Sequence, residues 1–323
     1  QVGDRGRAAN DTSILSVMDT FRIKAAVTGH QCHVAEGHVA VGETFDLRID
    51  EERRAATARN HSVTHLMHKA LRTVLGDHVQ QKGSLVSPEL TRFDFSYTKP
   101  VTDAEIAEVE RLVNAQILRN AEVVTQVLPI EEAKKTGAMM LFGERYGETV
   151  RVLTIGNAVE FCGGTHVKRT GDIGFFKIVS EGGIAAGIRR IEAVTGMNAL
   201  AWVHKESGYL TETARFFKAP GSEVPHKVAD LISTVKSLEK GIDQLKSQMA
   251  SKVGDQLVRE ARDVAGVKLL VARMDGADAK ALRETMDKVK DKLGSAVALL
   301  AAVSADGRVQ LAAGVTKDLI GRI

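Results

Sequence analysis

From Val224 to Met249 the apolar residues fall at alternating steps of four and three: Val224, Val228, Leu231, Val235, Leu238, Ile242, Leu245 and Met249. That spacing is the seam of a coiled coil or a helical hairpin, since it keeps one apolar stripe on one side of a helix. The run lasts more than three heptads and divides the chain into an upstream and a downstream part. Ala219, Pro220 and Gly221 break the chain just before it, and Pro225 stands where its first turn begins. Lys236, Lys240 and Lys246 lie off the seam, on a face that is either simply solvated or touches phosphate.

Upstream the pattern is different. Residues 1–50 read as β, with Val39, Val41, Phe45, Leu47 and Ile49 mostly alternating with polar or small residues. The spacing of Val63, Leu66, Met67, Ala70, Leu71 and Val74 predicts a helix over His61–Leu75, with Asn60 as its N-cap and Gly76 as its stop. Short strands come next near Ser84–Val86 and Arg92–Tyr97, then a helix over Asp103–Asn120. From Glu122 to Glu192 glycine turns separate mostly β segments, at Val123–Leu128, Val150–Ile155, Ala158–Cys162, Phe175–Ser180 and Ala186–Glu192. Helices alternating with antiparallel-looking strands define an α+β class.

Downstream of Gly266, Val267–Met274 reads as a strand, Asp278–Leu293 as a helix, and Ala296–Val303 with Arg308–Ala313 as a hairpin about Asp306-Gly307. The 323 residues suffice for two or three domains with their own cores. A net charge of +3 and a pI near 8.8 permit a nucleic-acid partner without requiring one. No apolar run approaches the ~20 residues that span a bilayer, and no secretory leader opens the chain. Cys32 and Cys162 are too few for a disulfide framework, so a reducing cytoplasm is the expected compartment.

Two short motifs carry chemistry. His61 and His65 are one helical turn apart and project away from the apolar stripe. Far downstream, Cys162-Gly163-Gly164-Thr165-His166 offers a thiolate and an imidazole across a glycine turn that lets both converge. Together they make a borderline-soft set of four donors, for which zinc is the natural guest at about 2.0–2.3 Å. His68 lies near the same face and reads as outer support or surface. Each motif alone is ordinary; their joint presence is what points to a metal. A helical-histidine zinc peptidase needs a glutamate directly after the first histidine, and that position is Ser62. No phosphate loop of the Gly-x-x-x-x-Gly-Lys-Ser/Thr kind is present.

The segments His61-Ser62-Val63-Thr64-His65-Leu66-Met67-His68, Cys162-Gly163-Gly164-Thr165-His166 and Gly187-Ile188-Arg189-Arg190-Ile191-Glu192-Ala193-Val194-Thr195-Gly196 together resemble alanyl-tRNA synthetase. They are similar to its editing domain, which freestanding alanyl-tRNA editing proteins and threonyl-tRNA synthetase share in outline. Gln1-Val2-Gly3-Asp4 resembles the end of the Gly-Gly-Gln-Val-Gly-Asp motif that opens this region. The resemblance covers essentially the whole chain. It implies a β-rich, barrel-like N-terminal part over 1–50, a zinc-dependent editing domain over 51–205, a coiled-coil linker over 206–265 and a truncated α/β tRNA-contacting domain over 266–323. The family's ATP-dependent aminoacylation half is absent, as is the glycine-rich stretch expected after residue 323. The reading is therefore an internal fragment, with ATP needed only by the parent enzyme and no ligase activity expected of this chain.

The resemblance further implies hydrolysis of serine or glycine mischarged onto tRNA(Ala). A pocket sized for alanine cannot exclude glycine and rejects an added hydroxyl by only ~1–3 kcal/mol. A second site gains selectivity if its polar groups pair with the serine hydroxyl and stay unpaired against a methyl. Gln80, Gln81, Ser84 and Asp94 are the candidates, with Gln81 carried over from the family's editing loop. Thr165 is placed to orient water or the substrate amine, while Arg189 and Arg190 suit either phosphate contact or a structural ion pair. Two other readings remain at this point: a freestanding trans-editing protein with a C-terminal extension, and a non-catalytic tRNA-binding module with structural zinc. The expected partner is tRNA(Ala), with self-association through the heptad segment and no membrane contact.

Overall fold

A computed structural model describes residues 2–24, 27–140, 146–274, 277–303 and 307–321. It is a mixed α/β protein with several small sheets, and contacts divide it into two compact units, residues 1–209 and 210–323. No helix among the described residues is long and apolar enough to cross a membrane.

The first unit opens with β1 (Gly6–Ala9), β2 (Ile14–Lys24), β3 (Val27–Glu36) and β4 (Asp46–Ile49). These strands are antiparallel in the order β3-β2-β1-β4. They form an open sheet among the described residues, not the expected barrel-like closure. Its buried contribution is small, chiefly Ala8, Leu15 and Val17, too few inward side chains to fill a closed barrel.

Next comes α1 (Glu51–Leu75). It starts ten residues earlier than the periodicity predicts, because Asp50 caps it by accepting from the Arg53 amide and Glu51 and Glu52 favour the first turn. Asn60 is therefore not a cap. It lies inside the helix, fully buried, donating to the carbonyls of Ser87 and Pro88 and accepting from the Thr195 hydroxyl. Gly76 ends the helix as expected, its amide donating to the Arg72 carbonyl.

β5 (Gln81–Val86) and β6 (Thr91–Ser96) come after it, then α2 (Asp103–Leu118), started by a reciprocal Thr102–Glu105 capping box. β7 (Val124–Pro129) leads into the short α3 (Ile130–Lys135), which the β pattern of this region conceals. β8 (Thr149–Ile155) and β9 (Ala158–Phe161) complete an antiparallel sheet with β7. β10 (Phe176–Ala185) and β11 (Ile188–Thr195) join the earlier pair in the order β10-β11-β6-β5. α1 packs on this second sheet and on β8 and β9, with α2 beside it. Phe93, Phe95, Leu66, Met67, Leu153, Phe176 and Ile191 fill the core between these elements.

α4 (Gly196–Phe217) is next, and the division between units falls within it. The second unit contains α5 (Val224–Glu260), β12 (Arg262–Val264), β13 (Val267–Arg273), α6 (Ala279–Leu293), β14 (Ala296–Val303) and β15 (Val309–Val315). β13 and β14 are parallel around α6, with β12 and β15 antiparallel at the edges. The predicted turn residue Asp306, like Gln1 and Ile323, lies outside the described residues. Leu257, Leu270, Leu282, Met286 and Leu300 form this unit's core. The heptad seam does not: Leu231, Val235, Leu238, Ile242, Leu245 and Met249 are all exposed.

Candidate metal centre

α1 brings His61, His65 and His68 to one side at steps of four and three, and β9 delivers Cys162 and His166 in the turn just beyond its end. The donor atoms of His61, His65, Cys162 and His166 all lie within 4.8 Å of one another. Nε2 of His61 is 3.5 Å and Nε2 of His166 is 3.3 Å from the Cys162 sulfur. The three imidazole centroids are 4.4–5.3 Å apart. Nε2 of His65 is buried without a hydrogen-bond partner. A buried ring nitrogen left without a partner beside a cysteine sulfur and two further imidazoles fits a soft cation.

The turn is held from several sides. Arg151 donates from Nη1 to the carbonyls of Gly163 and Gly164 at 3.2 and 2.8 Å. The Ser62 hydroxyl, fully buried, accepts from the Val167 amide at 3.0 Å and lies 3.4 Å from Nδ1 of His166. Glycine is needed here for a reason other than backbone freedom. Neither Gly163 nor Gly164 has a positive φ, but a Cβ on Gly164 would run into the His61 imidazole.

Beneath the four donors lies Glu160, which sequence reasoning missed. It is 5% exposed; Oε2 accepts from Nδ1 of His65 at 2.5 Å and Oε1 from Nδ1 of His68 at 3.2 Å. Its signal was available: Glu160 and Cys162 are two apart along an extended segment and so share a face. His68, read as support or surface, is buried and part of this arrangement.

The electrostatics suit a cation. Burial pushes the Cys162 thiol up, yet His166, His61 and His65 together hold it down at about 3, as a thiolate. Burial likewise works against Glu160, but His65 and His68 hold its carboxyl at about 2. Burial lowers His65, an effect that Cys162 and Glu160 outweigh to push it up to about 9. His166 is lowered by burial and by the nearby His61 and His65 against its bond to Cys162.

The other predicted residues are not gathered into this cluster. Thr165 is half-buried within the turn. Gln81 donates from Nε2 to the Ser84 hydroxyl at 3.1 Å, and Gln80 is exposed and accepts from Lys82. Gln81 and Ser84 stand opposite Phe95 and Phe93 in the β5–β6 register, on the same sheet face as those rings, with Ser84 exposed. Asp94 points to the other face and takes a two-pronged ion pair from Arg190, at 2.7 and 2.8 Å. The Arg190 guanidinium holds its carboxyl below the usual range. Arg189 forms a similar pair with Glu181. Both arginines thus hold ion pairs.

Relatives sharpen this picture. Residues 150–192 match the family described as the threonyl and alanyl tRNA synthetase second additional domain, a stretch holding Cys162, His166, Arg189 and Arg190. The turn that carries Cys162 and His166 thus lies in a stretch similar to a domain found in tRNA synthetases. Over all 323 residues the chain is 57% identical to the alanine–tRNA ligases of Acidovorax sp. (strain JS42) and Methylibium petroleiphilum, and 56% identical to that of Delftia acidovorans. The chain is thus similar along its whole length to one part of these alanine–tRNA ligases, and it spans 37% of their length.

Proposed function

We propose that this chain carries a zinc-dependent deacylase that hydrolyses serine or glycine mischarged onto tRNA(Ala). The observation that carries the reading is the convergence of His61, His65, Cys162 and His166 within 4.8 Å in a chain homologous throughout to alanine–tRNA ligases. Those four residues are the proposed zinc ligands. Zinc held by them supplies Lewis-acid polarisation and a fixed positive charge.

The chain's own residues supply the rest. Gln81 and Ser84 form an exposed polar pair on the sheet face of Phe95 and Phe93, suited to pair with a serine hydroxyl and to be left unpaired against alanine. Gln80 sits at the head of that strand, and Thr165 lies beside the ligands to orient water or the amine. Asp94 acts through Arg190, fixing that guanidinium in place. Arg189 and Arg190 are proposed to meet tRNA phosphate by their remaining donors.

The proposed layout has four segments: 1–50, the editing domain 51–205, a helical linker 206–265 and a tRNA-contacting segment 266–323. Ligation of alanine with ATP is proposed for the whole ligase, cytoplasmic action and tRNA(Ala) binding likewise. The exposed seam of α5 is proposed to support self-association. A second reading, a tRNA-binding module with structural zinc, is favoured by one feature: four protein donors close a tetrahedral shell. Single-turnover deacylation separates the two. Loss of Ser-tRNA(Ala) with Ala-tRNA(Ala) spared supports the deacylase; intact Ser-tRNA(Ala) on a zinc-loaded chain that binds tRNA supports the module.

A further inference from the structure

Glu160 is the buried acid beneath the donor cluster, and both of its oxygens are occupied by imidazole nitrogens. The two contacts, at 2.5 and 3.2 Å, aim both Nδ1 atoms at this one carboxyl. With Nδ1 directed at Glu160, His65 turns Nε2 toward the other three donors. His68 is not among those donors; its ring lies against Phe93 at 5.1 Å and its Nδ1 serves Glu160.

We infer that Glu160, anchored by His68, is a positioning residue of the metal centre: it fixes the tautomer and ring orientation of His65 and balances the charge of the bound ion. The inference rests on the proposed zinc site. The Cys162 thiolate alone leaves a divalent cation with one uncompensated positive charge, and Glu160 cancels it. A buried site that is short of one charge is costly to fill. The two ends of this support come from different elements, α1 and β9, so Glu160 also sets how the ligand helix meets the ligand turn.

Zinc affinity is the direct test, measured on the whole chain by competition with a chromophoric chelator, alongside the visible spectrum of the Co2+-substituted protein. Glu160→Gln keeps the shape and an acceptor but removes the charge. It is expected to weaken zinc by ~10–100-fold and to shift the Co2+ bands. His68→Leu leaves Glu160 in place and removes only its anchor, so it asks the same question if Glu160→Gln does not fold; weaker zinc binding and a shifted spectrum are expected. His68→Asn, which restores a donor, is expected to return both toward wild type. Wild-type affinity and an unchanged spectrum in a folded Glu160→Gln or His68→Leu protein would overturn the inference. Failure of the wild-type chain itself to bind zinc would instead overturn the reading on which it rests.

Discussion

The molecule's two longest helices make opposite use of their periodicity. α5 has the cleaner pattern, an unbroken heptad seam, yet that seam lies open: Leu238 is 61% exposed. α1 has a rougher pattern interrupted by histidines, serine and threonine, yet Ser62 through His68 are all buried. A stripe of apolar residues records that a helix has something to cover, without recording what covers it. Burial of polar residues is the more informative sign. On α1 each such residue is spent on a partner from another element: Asn60 on the 87–88 loop, Ser62 on Val167, Thr64 on Thr91, and His65 and His68 on Glu160.

The largest contrast between the helices is therefore in stability. Leu66→Ala empties a site that is 1% exposed in the core and is expected to cost ~2–5 kcal/mol. Trp202, the single tryptophan, lies in the same unit, so its fluorescence during urea unfolding reports the loss. An unchanged midpoint would mean that α1 is not the packing centre of this unit. The second effect is local. Gly164→Ala pushes a methyl into His61, so zinc retention against a chelator should fall by ~10-fold or more with the fold intact. Equal retention would show that the turn has slack.

A smaller effect concerns the sheet under α1. The Asp94 carboxyl is held below 3.8 by Arg190, so its contribution to stability is present above the unfolded value and lost as pH falls through the native one. Asp94→Asn should destabilise near neutral pH, and the difference from wild type should vanish on acidification below the native value. A difference constant with pH would assign the effect to shape alone. The smallest effect is expected at Leu238→Ala in dilute, monomeric protein, within about 0.5 kcal/mol for an exposed position, with a larger loss only where the seam pairs as proposed. A much larger, concentration-dependent loss would show that the seam is covered by another copy of the chain.

The four clustered donors were legible because each pair is local in sequence: a helical step of four on α1, and four residues across the glycine turn. Donor chemistry then required only that the pairs meet. The features that stayed hidden depend on distant pairing. Glu160 looks like an ordinary strand residue until α1 places His65 and His68 against it, and Asp94 looks like free polarity until β11 lays Arg190 beside it. Asn60 has the chemistry of a cap, and only the 87–88 loop and Thr195 show why it sits mid-helix. The glycine of the ligand turn was legible as essential, but its reason is steric contact with His61 rather than a left-handed backbone. Residues 1–50 read correctly as β-rich, but the alternation from Val39 to Ile49 meets a strand only at Leu47 and Ile49 in β4, and whether the sheet closes depends on edge pairing that alternation does not encode.

The most direct test of the central claim is the rate of Ser-tRNA(Ala) hydrolysis by the chain before zinc removal, after it, and after zinc is restored, with folding checked at each stage. A rate that collapses on removal and returns with stoichiometric zinc is the predicted result. An undiminished rate in folded, zinc-free protein would contradict it.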